Sequence, residues 1–254
     1  MNKKYGVAVR PTPILNTPHF LQVFRWPLPL DSQNLLRAVE AVAFPGTKFC
    51  ILEDCGEIAK VSTAEYSVSP QYVDYRFLQI TSTLPPERER SFPSSSEIVM
   101  FLRACLGLPY VWGGNWSQGI EEMLAYYPPN RELDPSTRSL WQLKGVDCSG
   151  LLFEATRGCT PRNTSQLVHY GNPVAISGLC IAEIVAQLQP LDLIVWVGHV
   201  IIVEDKEHTI ESRNPEGVIR SSLHLRLKQI LLERRPVDHW MTTWGPRFVI
   251  RRFL

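Results

Sequence analysis

Gly145-Val146-Asp147-Cys148-Ser149-Gly150, with the apolar run Leu151-Leu152-Phe153 directly behind it, decides how the second half of the chain is read. A cysteine stands at a polar turn, and the apolar segment behind it ends at Gly158. Read as a helix, this segment puts Cys148 at the N-terminal end, where free backbone N–H groups and the helix dipole favour a thiolate. Such a thiolate is a nucleophile in need of a base. Downstream, residues 192–203 (Asp192-Leu193-Ile194-Val195-Trp196-Val197-Gly198-His199-Val200-Ile201-Ile202-Val203) read as strand, with His199 heading the second half. A cysteine and a histidine far apart in sequence can meet in a fold as nucleophile and base.

The composition is that of an ordinary globular protein. At 254 residues the chain has room for one large or two modest domains, and 44% hydrophobic against 20% charged residues fits a packed core. Twenty-six basic and 25 acidic residues leave a net charge of +1, which argues against a nucleic-acid or membrane surface as the main partner. Met1-Asn2-Lys3-Lys4-Tyr5 is basic, but Arg10, Pro11 and Pro13 prevent a continuous apolar run after it, so no secretory signal is expected. No apolar run reaches membrane-spanning length. The expected location is the cytoplasm, or the periplasm if an N-terminal segment was removed. The six cysteines are then expected as thiols rather than as a disulfide framework.

Residues 1–34 are proline-rich and read as an extended, irregular lead-in with short apolar pieces such as Phe20-Leu21-Gln22-Val23-Phe24. From Leu35 to about Leu78 the pattern turns to short β-like runs, at 41–44, 48–52, 58–62 and 72–78, punctuated by turns at Pro45-Gly46 and Asp54-Cys55-Gly56. Residues 84–96 are dominated by proline, charge and serine, a linker composition. Ser94 precedes Glu97 by three residues, a capping-box spacing that predicts a helix through Ile98, Phe101, Leu102 and Cys105 to about Gly107. Beyond the Cys148 helix, a short helix is expected near 181–188, strands from Leu191 to the C-terminus, and a closing strand at 247–253.

Five blocks carry a resemblance. Pro109-Tyr110-Val111-Trp112-Gly113-Gly114 is succeeded in order by Asp147-Cys148-Ser149-Gly150, Pro161-Arg162-Asn163-Thr164-Ser165-Gln166, Pro190-Leu191-Asp192-Leu193 and Gly198-His199-Val200. In this order they resemble the NlpC/P60 family of papain-like cysteine peptidases that cut bacterial cell-wall peptides. The strand rhythm of the first half, with Tyr72-Val73-Asp74 near its end, looks like a bacterial SH3 (SH3b) domain. The resemblance implies an α+β fold, a papain-like NlpC/P60 domain preceded by a small all-β SH3b-like barrel. The domains implied are 1–84 with the lead-in, a linker at 85–96, and a catalytic domain at 97–254. One departure stands out. Thirty-two residues separate Gly114 from Asp147 where the family has a short loop, and the insert at about 115–144 reads as a lid, a cleft wall or a structural flap.

The same resemblance implies the chemistry. Cys148 is the nucleophile and His199 the base, chosen over His19, His169, His208, His224 and His239 because it alone heads a strand behind an apolar strand. The third residue, which orients the imidazole, lies on the next strand in the family and is commonly His, Asn or Gln. Here that strand reads His208-Thr209-Ile210-Glu211-Ser212-Arg213, and two-residue alternation turns His208 away from the face of Glu211. Glu211 is therefore the expected third residue, with a surface ion pair as its alternative reading. Tyr110 is expected near the nucleophile as an oxyanion donor, or as packing beside Trp112. Asp147 and Ser149 are expected to line a subsite for a free N-terminal amine, although helix capping alone would explain the aspartate. Cys50, Cys55, Cys105, Cys159 and Cys180 are expected to serve as small hydrophobes. Cys148, Cys159, His169 and Cys180 lack the paired spacing of a zinc site, so no metal and no cofactor are expected. The expected partners are peptidoglycan stem peptides or muropeptides, acted on by a monomer.

Overall fold

The computed structural model describes residues 3–242 and 244–254; Met1 and Asn2, the start of the lead-in, and Thr243 lie outside the described residues. The structure mixes helices with antiparallel sheets. Its helices are α1 (Phe20–Val23), α2 (Ser95–Ala104), α3 (Glu122–Tyr126), α4 (Pro135–Trp141), α5 (Cys148–Ala155), α6 (Thr164–Leu167), α7 (Ile181–Gln187) and α8 (Leu223–Glu233). The chain divides into two compact units. One comprises Met1–Arg90 and Val111–Gly150, the other Ser91–Tyr110 and Leu151–Leu254. Among the described residues no helix is long and apolar enough to cross a membrane.

In the first unit, strands β1 (Lys4–Ala8), β2 (Thr12–Leu15), β3 (Val39–Ala43), β4 (Lys48–Cys55), β5 (Ile58–Thr63), β6 (Tyr66–Asp74) and β7 (Leu78–Thr81) form one antiparallel sheet. Their order is β3-β2-β6-β5-β4-β1-β7. Alternating residues, among them Ala8, Ile14, Phe49, Val61 and Val73, fill one face. The expected irregular lead-in is corrected here, since β1 lies between β4 and β7 and β2 pairs with β3. The prolines of this segment cluster from Pro11 onward, so Tyr5-Gly6-Val7-Ala8 keeps every backbone donor that an interior strand needs.

The insert is neither loose nor peripheral in this unit. Met123, Tyr127, Trp141 and Leu143 share one apolar cluster with Phe20, Phe24, Leu36, Val39 and Phe77. Trp141 is fully buried, and its indole Nε1 donates to the Tyr127 carbonyl at 2.9 Å. The Tyr127 hydroxyl in turn donates to the buried Asp74 carboxylate. Arg76 closes the set, its Nε 3.0 Å from Asp74 Oδ2 and its guanidinium over the Tyr126 ring. Asp134 starts α4 by accepting from the backbone N–H groups of Ser136 and Thr137, each at 3.0 Å.

In the second unit, Ser94 and Glu97 form the capping box that begins α2. The sheet consists of β10 (Asn172–Val174), β11 (Leu193–Trp196), β12 (His199–Val203), β13 (His208–Arg213), β14 (Gly217–Ser222), β15 (Arg235–Pro236) and β16 (Arg247–Arg252). Its order is β10-β16-β11-β12-β13-β14, with β15 running parallel alongside β16. A second correction concerns residues 223–233, expected as part of a strand region and found as α8. Leu223, Leu227 and Ile230 recur at helical spacing and enter the core with Ile194, Ile201 and Ile250, while Ser222 Oγ accepts from Leu225 N–H. Each such buried side chain contributes about 1.5–3 kcal/mol, which outweighs the modest strand preference of the neighbouring residues.

The core position of the insert leads to a test. Trp141→Ala is expected to destabilise the first unit by about 3–5 kcal/mol, whereas Glu132→Ala, exposed in the same insert, should stay within about 0.5 kcal/mol of wild type. Urea unfolding monitored by circular dichroism reads both.

Candidate active site

Cys148 is the first residue of α5 and is buried. Asp147 caps the helix, its Oδ1 accepting from Gly150 N–H at 2.7 Å and from Ser149 Oγ at 3.2 Å. The capping geometry expected of Asp147 is thus present, and Ser149 takes part in it. The turn is pinned from outside the helix as well. Asp147 N–H donates to the Gly114 carbonyl at 2.9 Å. Strands β8 (Asn115–Trp116) and β9 (Gly145–Val146) pair beside it. A Cβ at Gly150 would lie 1.9 Å from Gly114 O, and one at Gly114 would lie 2.5 Å from Gly145 O. The glycines of the two motifs are therefore required by close backbone approach.

Asn115, unremarked in the sequence, holds this assembly to the sheet. Its buried side chain accepts from Val42 N–H at 2.9 Å and donates to Val42 O at 2.7 Å, acting as a strand partner for β3. No local pattern announces such a role, because the partner lies 73 residues away.

His199 opens β12 after a tight turn from β11, and Trp196 and His199 are register partners. The turn is fastened by Gly198 N–H, which donates to Thr164 Oγ1 at 2.9 Å. This gives the Asn163-Thr164-Ser165 block a physical role. The rings of Trp196 and His199 lie 5.3 Å apart, and Arg234 stacks on Trp196 at 4.6 Å. His199 Nε2 lies 2.6 Å from Glu211 Oε2, so the structure brings these two expected residues together. Counting on from the Ile202–Ile210 pair places Ile201 opposite Glu211 and His199 on the same face. His208, set aside on alternation, instead faces Asp205, with Nδ1 3.0 Å from its Oδ1. Tyr110 is half-buried at the end of the Ser91–Tyr110 segment.

Glu211 has a second partner that sequence reasoning missed. Arg226, on α8, donates from Nε to Oε1 at 2.6 Å and from Nη2 to Oε2 at 3.0 Å. The Glu211 side chain has no exposure and that of Arg226 only 15%. With α8 read as strand, nothing tied residue 226 to residue 211.

The remaining candidates fall away from this site. All six cysteines are free thiols. Of the five expected to be small hydrophobes only Cys105 is buried, and burial pushes its thiol up to about 12. Cys55 and Cys180 are exposed because they sit at a hairpin turn and a helix start. Glu204, Asp205 and His208 have donor atoms within 4.8 Å of one another, a spacing a cation would accept. However, Arg103 and Arg220 already reach Glu204 at 2.5 Å, and their guanidinium groups supply the compensating charge. A cleft of about 400 Å³ in the first unit, lined by His19, Phe20, Glu57, Arg76 and Tyr127 among others, includes none of the expected site residues.

No protein-family model and no curated protein matches the sequence. Among solved structures, the chain is similar to an NlpC/P60 family protein from Bacillus cereus, with 17% identity over 100% of this chain and 64% of that one, at a TM-score of 0.38. It is also similar to NlpC1 of Trichomonas vaginalis, with 13% identity over 98% and 68% of the two chains and a TM-score of 0.37. NlpC2 of the same organism gives 14% identity over 98% and 72%, again at 0.37. The chain thus spans less than two thirds of the Bacillus cereus protein.

Burial is the largest influence on Glu211 and opposes its charge, but the hydrogen bonds from His199 and Arg226, reinforced by their charges, outweigh it and hold the carboxyl at about 2. The pair therefore stabilises the fold above the ordinary glutamate range of about 4.3, and that contribution fades as pH falls toward about 2. Glu211→Gln, which leaves Arg226 without its counter-charge, is expected to destabilise the protein by about 3 kcal/mol at pH 7. In urea unfolding the gap between variant and wild type should narrow steadily below about pH 4.

Proposed function

We propose that this chain is a cysteine peptidase of NlpC/P60 type that hydrolyses peptidoglycan stem peptides, at the γ-D-glutamyl–diaminopimelate bond of peptides with a free N-terminal L-alanine. The reading rests on the five ordered sequence blocks, and the observation that carries it is the 2.6 Å bond between His199 and Glu211. An ionised carboxylate only accepts, so Nε2 carries the proton of the neutral imidazole and Nδ1 keeps the lone pair. Nδ1 is then the atom that removes the thiol proton.

In the proposed cycle the Cys148 sulfur attacks the γ-glutamyl carbonyl. The backbone N–H of Cys148, at the start of α5, and the Tyr110 hydroxyl donate to the developing oxyanion. His199 returns its proton to the departing amine, and water, activated by the same imidazole, hydrolyses the thioester. Glu211 holds the ring and stabilises the imidazolium throughout. Asp147 carries negative charge next to the nucleophile, which suits the ammonium group of an N-terminal alanine, with Ser149 as a second acceptor. The antiparallel sheet of the first unit is proposed as an SH3b-related module that restricts the substrate to short released peptides, as expected of an enzyme of peptide recycling.

The test is mass spectrometry of L-Ala-γ-D-Glu-meso-diaminopimelate incubated with wild type and with Cys148→Ala. Wild type is expected to release free diaminopimelate, and the variant to be slower by at least about a thousandfold. Cleavage of a muramyl-peptide alone would move the bond to muramoyl-L-alanine. Inertness toward both substrates would overturn the enzyme in favour of a module that only binds wall fragments.

A further inference from the structure

We infer that Arg226 is a positioning residue of the His199–Glu211 pair, gripping the carboxylate on both oxygens and so fixing the direction in which it holds the imidazole. The terminal torsion of a glutamate is broad and two-fold, so a carboxylate bonded only to His199 would swing about its own axis. Here Oε1 is taken by Arg226 Nε, and Oε2 is shared between Arg226 Nη2 and His199 Nε2. Two parallel bonds from a planar guanidinium leave the carboxylate plane one orientation. The guanidinium is itself held, because its Nη1 donates to Gln229 Oε1, one turn further along α8, at 3.2 Å.

Anchoring of the helix does not account for this arrangement. Leu223, Leu227 and Ile230 already fasten α8 to the core, and an apolar pair at positions 211 and 226 would join helix to sheet without desolvating two charges. Burying a glutamate and an arginine beside a histidine is explained when the carboxylate must stay both ionised and aimed. Arg234 is a second cation at this end of the site, but it acts on the Trp196 ring and not on Glu211. Opposite Glu211 on β14 stands Ile219, which carries no charge. Among the described residues Arg226 is thus the cation that hydrogen-bonds the carboxylate of the pair.

The inference rests on the proposed catalytic role of His199, and its test separates the two. In protein labelled with ¹⁵N-histidine, the imidazole Nε2–H proton of His199 should be visible as a hydrogen-bonded resonance in wild type and in Arg226→Lys. In Arg226→Met it should be lost to solvent exchange. On the tripeptide substrate, Arg226→Met is expected to lower kcat by about tenfold with KM within about twofold. Arg226→Lys, which keeps the charge but not the two-pronged grip, should fall between it and wild type. A merely structural role would leave the Nε2–H resonance and the kcat of correctly folded Arg226→Met at wild-type values, and that result overturns the inference. If Arg226→Met does not fold, Arg226→Lys decides: a several-fold lower kcat at unchanged KM supports positioning, and wild-type kcat overturns it. If wild type cleaves no peptide, the catalytic reading falls, and the resonance alone decides whether Arg226 orients the pair.

Discussion

The carbonyl oxygen of Gly114 occupies space that a Cβ at position 150 would need, and this lack of clearance governs the first unit around Cys148. Because neither backbone can retreat, the turn of residues 113–114 and the start of α5 behave as one piece. Asp147 satisfies the helix end, its own N–H is taken by Gly114, and Asn115 extends the assembly to β3 through two buried hydrogen bonds. Cys148 therefore inherits its position from a sheet strand and not from a loop. Under the proposed function Cys148 meets a substrate within a fraction of an ångström, a task that suits such a rigid support.

His199 is restrained by different means. Its turn is fastened at Gly198 by Thr164, its ring lies beside Trp196, and its Nε2 is held by Glu211. The carboxylate is the costly member of this group, since burial alone would favour the neutral acid. Hydrogen bonds from His199 and from the Arg226 guanidinium reverse that preference. The outcome is an acceptor that remains ionised and fixed in direction at any pH well above 2.

Much of this was legible in the chain because it depends on neighbours close in sequence. The Ser94–Glu97 box, the Cys148 helix start and the strand carrying His199 are each announced by residues within a few positions, and the alternation that set His208 apart from Glu211 is a property of one strand. The illegible parts depend on distant partners or on a competing local signal. The prolines of the lead-in give a competing irregular signal next to the Tyr5–Ala8 segment, which takes an interior place only because β4 and β7 flank it. The apolar residues of α8 sit among strands in sequence, and only the helical spacing of Leu223, Leu227 and Ile230 behind a serine cap sets them apart. Arg226 is hidden in the sequence for the same reason, because only α8 brings it to Glu211. Asn115 was invisible for a simpler reason: an asparagine after two glycines is ordinary until a strand edge 73 residues away needs a partner.

The insert between Gly114 and Asp147 reaches the same apolar cluster as Phe20, Phe24 and Phe77, through Trp141 and Tyr127. Its history is therefore bound to that of the sheet it joins. A lineage that shortened this segment would expose three phenylalanines and leave the buried Asp74 without the Tyr127 hydroxyl. Asp74 would keep its Arg76 partner, so loss of the insert would persist alongside polar replacements at positions 20, 24 and 77. Among relatives, the length of this segment and the polarity of those positions should vary together, as one inherited trait.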